Sequence, residues 1–275
     1  MTHARRLAPP VLAALLLAGC TSSPTPKAAA PAAVPAVREK HWGYATAPDT
    51  AGPAEWGSLP GNAACSTGTR QSPVALGTRL PTPVEAKDLP NLAFKYGTTR
   101  LHLVNDGHIV QADVDPGSTV EIDGAAWRLL EIHFHVPSEH SLDGLSYPME
   151  IHLVHAGPDG KPGLVVGIFA VQGGDNPALA PLFANLPKEK GGRKDDPAVS
   201  IDLAKLLPPD RIYLTYEGSL TTPPCTEGIR WFVLQMPVGI TGEQLGAFVS
   251  IANMTPSNRP LQALGARKIL LDTTP

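Results

Sequence analysis

The chain has 275 residues, 43% hydrophobic and 17% charged, which supplies the core of a sizeable globular domain and excludes a disordered polymer. Its formal net charge of -3 excludes the basic surface by which nucleic-acid binders advertise themselves. With 30 prolines, 26 glycines and only 5% aromatics, the elements must be separated by many turns.

At the N-terminus, Arg5 and Arg6 precede the apolar run "VLAALLLAGC" from Val11 to Cys20. That run is too short to span a bilayer and has the layout of a secretory signal peptide. Leu17-Ala18-Gly19-Cys20 resembles a bacterial lipobox, which implies cleavage after residue 19 and lipidation of Cys20. Membrane attachment would then run through that lipid alone. The alternative is an ordinary cleavage site among the alanines up to Ala36, which would discard Cys20. With Cys20 lipidated, Cys65 and Cys225 remain and can pair in an oxidising compartment; two buried free thiols are the other possibility. Residues 20–40, "CTSSPTPKAAAPAAVPAVREK", are rich in Pro, Ala and Ser and read as a semi-extended tether. One globular domain is expected over 41–275, with no internal repeat, in an exported protein at the periplasmic or cell surface.

Within that domain strands dominate. "TRLHLVNDGHIVQADV" has two β-rich arms around Asn105-Asp106-Gly107, a hairpin signal. "WRLLEIHFHV", "YPMEIHLVHAG" and "GLVVGIFAVQ" read as further strands, the last two joined by "GPDGKPG". "RIYLTY" and "IRWFVLQ" follow. Helical signals are few: Thr241 with Gln244 three residues later predicts a capped helix over "GEQLGAFVSIAN", and "NPALAPLFANL" a shorter one. The fold class expected is α+β, mainly β, with a mostly antiparallel sheet and minor helices.

The histidines carry the chemistry. In "EIHFHV", His133 and His135 share a strand face with Glu131, where Val, Ile or Leu would ordinarily sit. A catalytic zinc site takes three protein ligands and one open position, so a third ligand must come from elsewhere. "MEIHLVHAG" offers His152 and His155, three residues apart and therefore on opposite faces. Glu150, two positions from His152, repeats the Glu131–His133 spacing and favours His152, because metal-bound imidazoles usually donate their second N–H to a carboxylate or carbonyl. His140 and His155 read as ordinary hydrogen-bonded core histidines. Three neutral imidazoles leave zinc its full charge, which suits hydrolytic chemistry better than a thiolate site does.

"IHFHVPSEH", "EIHLVH", "GSLTTPPCTEG" and "NDGH", in that relation to "HWGY", "RQSPV" and "NRPLQ", closely resemble the α-class carbonic anhydrases over most of residues 41–270. The resemblance implies a central twisted, mostly antiparallel sheet with zinc at the bottom of a conical cleft. It implies that His133, His135 and His152 hold Zn(2+), that Glu139 and Thr221 orient the hydroxide, and that His108 shuttles protons. It places Thr222 beside bicarbonate and Val154, Val165, Leu220, Ile229 and Trp231 along the apolar wall for CO2. Glu131 stands where many members of the family carry glutamine, and a second carboxylate near the metal is expected to raise the pKa of its water. The activity implied is reversible hydration of CO2 to bicarbonate and a proton.

Two other functions compete. A zinc hydrolase acting on esters would use the same hydroxide, and a non-catalytic lipoprotein could keep the fold. An H-E-x-x-H protease is disfavoured because that motif is absent. The sequence leaves the oligomeric state open, a homodimer included.

Overall fold

The computed structural model describes residues 40–78, 84–89, 91–251 and 255–272. The chain divides into Met1–Val37 and Arg38–Pro275, and every described residue belongs to the second unit. The signal peptide, Cys20 and the tether up to residue 39 therefore lie outside the described residues. Among the described residues, no helix is long and apolar enough to cross a membrane.

One twelve-stranded sheet organises the domain. Its strands are β1 (Val84–Lys87), β2 (Ala93–Lys95), β3 (Thr98–Asn105), β4 (Val110–Asp113), β5 (Thr119–Ile122) and β6 (Ala125–His135). They continue with β7 (Met149–Ala156), β8 (Pro162–Gln172), β9 (Arg193–Asp202), β10 (Tyr213–Ser219), β11 (Glu227–Ile240) and β12 (Ile269–Asp272). The order is β9-β3-β4-β6-β7-β8-β11-β10-β12-β1, with β5 pairing β6 and β2 off that path. All pairs are antiparallel except β8 with β11 and β12 with β1. The expected hairpin is present: β3 and β4 pair antiparallel, and Gly107 in the turn takes φ +93°, a backbone that suits glycine.

Alternation along the central strands separates two apolar layers. Ile132 and Phe134 of β6, with Ile151 and Leu153 of β7, enter the larger core. Val154, Val165, Phe169, Trp231 and Val233 form the smaller core. All eight residues of β7 are buried, so its polar side chains must be satisfied internally. The helices are α1 (Ala64–Thr67), α2 (Ala180–Phe183) and α3 (Gly242–Val249). Thr241 caps α3, and both halves of its capping box with Gln244 form; the helix ends at Val249, and residues 252 and 253 of the expected segment lie outside the described residues.

Strand β9 has no counterpart in the sequence reading. Its residues "RKDDPAVSID" carry four charges and a proline before residue 198, which obscures any alternation. The structure explains the composition: β9 is an edge strand, pairing only with β3, and its ladder is interrupted between Asp196 and Ser200. Charge and proline suit an edge, where they discourage pairing with another chain.

Candidate metal centre

The register of β6 against β7 builds the site. His152 lies directly opposite His133, and Glu150 opposite His135. Non-neighbouring sequence segments thus bring three imidazoles to one face, with ring centroids 4.6 to 5.0 Å apart. One nitrogen from each of His133, His135 and His152 fits within a 4.8 Å cluster. All three side chains are buried.

Each ring is held from behind. Both oxygens of Glu131 accept from His133 Nδ1, at 3.0 and 2.9 Å. Glu150 Oε1 accepts from His152 Nε2 at 2.9 Å, and the carbonyl of Ser257 accepts from His135 Nδ1. Carboxylates and carbonyls only accept, so these nitrogens carry the protons. Consequently the other nitrogens, His133 Nε2, His135 Nε2 and His152 Nδ1, present lone pairs inward. His133 Nε2 and His152 Nδ1 are 3.2 Å apart, two acceptors facing each other. His135 Nε2 is buried with no hydrogen-bond partner among the described residues. Burial depresses the pKa of His152 to about 4, against the pull of Glu150, and holds His135 well below the usual imidazole range. Protons are therefore poor occupants of this space. A divalent cation with an appetite for neutral nitrogen fits it.

Glu150 anchors a larger network. Besides His152 it takes His140 Nδ1 at 2.7 Å, and its Oε2 accepts the backbone N–H groups of Glu139 and His140. His140 Nε2 meets the Tyr216 hydroxyl, which reaches Ser72 Oγ at 2.8 Å. His140, Glu150 and His152 also form a compact triplet, but both imidazoles donate to the carboxylate, so it is a hydrogen-bonded network. Gly167 faces His152 across the ladder, and a Cβ there would come within 3.0 Å of Glu150 Oε1. The glycine leaves space for the carboxylate.

Glu139 lies beside the centre, its Oε2 3.6 Å from His135 Nε2. Its Oε1 accepts from the backbone N–H of Arg259 at 2.8 Å. Burial raises its pKa well above the ordinary value, while that backbone bond and the Thr221 hydroxyl pull it down. The Arg259 guanidinium is buried and donates to Gln71 Oε1, the Ser72 carbonyl and the Cys65 carbonyl. Cys65 and Cys225 are joined by a disulfide, and Gln71 Nε2 donates to the Cys225 carbonyl. The segment Thr221–Cys225 is thus tied to Glu139 through Arg259, Gln71 and the disulfide. Thr222 is half-buried in the same turn, its carbonyl accepting from Cys225 N–H.

Val154, Val165, Ile229 and Trp231 belong to the smaller core on this face of the sheet, with Leu220 packed against it. His155 faces the other way, bonding the Tyr96 hydroxyl through Nε2. His108 is half-buried and stacks on Trp42, with ring centroids 3.8 Å apart. Sequence reasoning missed Ser257 and Arg259 as supports of the site. Ser257 acts through a backbone carbonyl, which no residue type betrays. Arg259 stands inside "NRPLQ", where the only hint was the motif itself.

The profile of the eukaryotic-type carbonic anhydrase family matches residues 51–273. A carbonic anhydrase from Pectobacterium carotovorum is 38% identical over 232 residues, spanning 84% of this chain and 90% of that relative. One from Neisseria gonorrhoeae is 35% identical over 263 residues, 95% of this chain and 96% of the other. Among solved structures, the α-carbonic anhydrase from Thermovibrio ammonificans in complex with sulfanilamide superposes with a TM-score of 0.77 at 37% identity, covering 84% of this chain and 99% of that one. Fold and sequence place the chain among mainly β enzymes of the carbon dioxide-hydrating kind. The chain belongs to the α-carbonic anhydrase family, whose zinc-dependent members interconvert CO2 and bicarbonate.

Proposed function

We propose that His133, His135 and His152 hold a catalytic zinc ion and that this chain hydrates CO2 at it. The observation that carries the reading is the facing pair of acceptor nitrogens, His133 Nε2 and His152 Nδ1, beside the unpartnered His135 Nε2. Zinc bound to imidazoles lowers the pKa of a water to about 7, carbonic anhydrase being the type case of this effect.

The remaining work falls to the chain. Glu131, Glu150 and the Ser257 carbonyl fix the tautomer of each imidazole, so the lone pairs point inward without reorganisation. The Thr221 hydroxyl donates to Glu139 and is left able to accept a proton from the attacking oxygen, which aims that oxygen's lone pair at carbon. Arg259 and the disulfide keep Glu139 and the Thr221 turn in register. Val154, Val165, Leu220, Ile229 and Trp231 present an apolar wall to CO2, and Thr222 contacts bicarbonate. His108 passes the released proton towards solvent.

Export to an oxidising compartment with Cys20 lipidated completes the reading, and the Cys65–Cys225 bond supports it. The test is CO2 hydration and ester hydrolysis by the purified protein, with and without a chelator, alongside metal analysis. Chelator-sensitive hydration with one zinc per chain is expected. Ester hydrolysis alone would identify an esterase, and neither activity a non-catalytic binder.

A further inference from the structure

The chain is acidic as a whole, with a formal net charge of -3, yet residues 188–194 carry Lys188, Lys190, Arg193 and Lys194 against the single acid Glu189. All five are exposed. Lys188, Lys190 and Arg193 have no ion pair among the described residues, and Lys194 reaches only Asp196, at 3.8 Å. Elsewhere Arg70, Arg100 and Arg230 each face a carboxylate at 2.9 Å. The cations of 188–194 are also held in place. Asn105 N–H donates to the Gly192 carbonyl at 3.0 Å, Gly191 N–H to the Asn105 carbonyl at 2.7 Å, and Asn105 Nδ2 to the Pro187 carbonyl at 2.9 Å, and Asn105 is buried. Arg193 and Lys194 then open the edge strand β9, opposite Val104 and Leu103. Charges fixed on a rigid element lose little entropy on contact. This surface lies where the chain enters the domain. Lys190 shares the wall of a cavity of about 450 Å³ with His41 and Trp42, and Lys40, the first of the described residues, adds an exposed cation paired with Glu55 at 3.1 Å.

We propose that the face formed by Lys188, Lys190, Arg193 and Lys194, with Lys40 at its border, docks on the anionic lipid surface to which the chain is anchored. The inference rests on the reading of Cys20 as a lipidated anchor. From Cys20 to Lys40 the tether can reach several tens of ångströms, at about 3 Å per residue, so by itself it leaves the domain free to turn. What the anchor supplies is proximity. Contact with headgroups becomes an event within one tethered particle, so a weak attraction suffices. Clusters of about four to eight Lys and Arg beside a membrane anchor are those that respond to anionic headgroups. This one qualifies, and it stands next to the point where the tether joins. The rest of the chain is net acidic, so a negative surface selects this face over the others. Docking turns the cavity walled by His41, Trp42 and Lys190 towards the bilayer.

The full chain, purified with its lipid, is mixed with vesicles of phosphatidylcholine, or of phosphatidylcholine and phosphatidylglycerol in equal parts, and amine acetylation is followed residue by residue. On the mixed vesicles Lys188, Lys190 and Lys194 should label roughly fivefold more slowly than on phosphatidylcholine, and about 0.5 M salt should abolish the difference. Lys161, exposed in the turn between β7 and β8, should label alike on both. In K188Q/K190Q/R193Q the protection of Lys194 should vanish, and in K188R/K190R it should remain, because charge and not the loop's shape makes the contact. Equal labelling on the two kinds of vesicle overturns the docking face. Equal protection on both overturns it too, as does the same protection by inorganic phosphate without lipid. An unmodified Cys20 overturns the anchor reading instead; slower labelling on the mixed vesicles then keeps the docking face, and unchanged labelling removes it as well.

Discussion

His133 Nε2 and His152 Nδ1 face each other across 3.2 Å, and each ring has its other nitrogen committed to a carboxylate. Neither can donate to the other. The contact is repulsive unless a cation sits between the lone pairs, so metal and fold are coupled. Zinc at about 100 times its Kd should stabilise the native state by about 2.7 kcal/mol, which is several degrees in Tm for a chain of this size. Thermal unfolding with zinc, and after dialysis against a chelator, measures the difference. In H135A the shift should vanish with the stoichiometric metal. Identical melting curves with and without zinc would show that the three rings do not form a metal site.

Glu131 adds a second carboxylate behind the three histidines, since both its oxygens reach His133 Nδ1. A carboxylate makes the imidazole a stronger donor and places negative charge near the metal, so the metal keeps less of its acidifying power. In E131Q the rise of the CO2 hydration rate with pH should move to the acid side, because the water that must lose a proton does so more easily. A rate–pH curve superimposable on the wild type would remove Glu131 from the control of that acidity.

Some of this was legible before folding, for physical reasons. Strand parity puts Glu131, His133 and His135 on one face and separates His152 from His155, and the structure obeys it: His155 turns to Tyr96. The capping box of α3 was legible because its two partners are only three residues apart. Register was not legible from parity. That His152 stands opposite His133, rather than two residues along, depends on the long-range pairing of β6 with β7. The Arg259 strut was hidden for the same reason, since its partners Cys65, Gln71 and Glu139 lie more than a hundred residues away in the chain. That His108 stacks on Trp42 was not legible, because it depends on where His41–Trp42 docks.

On the proposed mechanism, Thr221 and Glu139 divide a task that neither performs alone. Glu139 Oε2 is buried 3.6 Å from His135 Nε2, and the Thr221 hydroxyl is among the groups that favour the charged form of its carboxylate. T221V keeps the shape and removes the hydroxyl. Turnover for CO2 hydration should fall by roughly 10²-fold, the usual loss when one positioned donor or acceptor at a reacting oxygen is deleted. Bound zinc should stay at one per chain. E139Q should lose a comparable factor, and the double variant little more than either single one, because they act as a unit. Independent, multiplying losses would mean that the two residues act separately.

His155 gives the fold a pH dependence distinct from that of the metal centre. It is fully buried on the opposite face of β7, and burial lowers its pKa to about 3 although the nearby Leu153 and Leu164 backbone favours the charged ring. The unfolded chain returns the ring to an ordinary value near 6.5. Between those limits the unfolded state binds one more proton than the native state, so stability rises with pH across this window. The contribution is complete above about pH 6.5 and is progressively lost as acid drives the pH down towards 3, at roughly 1.4 kcal/mol for each unit. Urea unfolding of the zinc-free protein from pH 4 to pH 8 measures the summed slope of His155 and the buried His135 and His152, without interference from metal release. In H155Q, which keeps a polar partner for the Tyr96 hydroxyl and cannot titrate, the slope between pH 4 and pH 6 should shrink by about one proton. An unchanged slope in H155Q would assign the acid sensitivity to other groups.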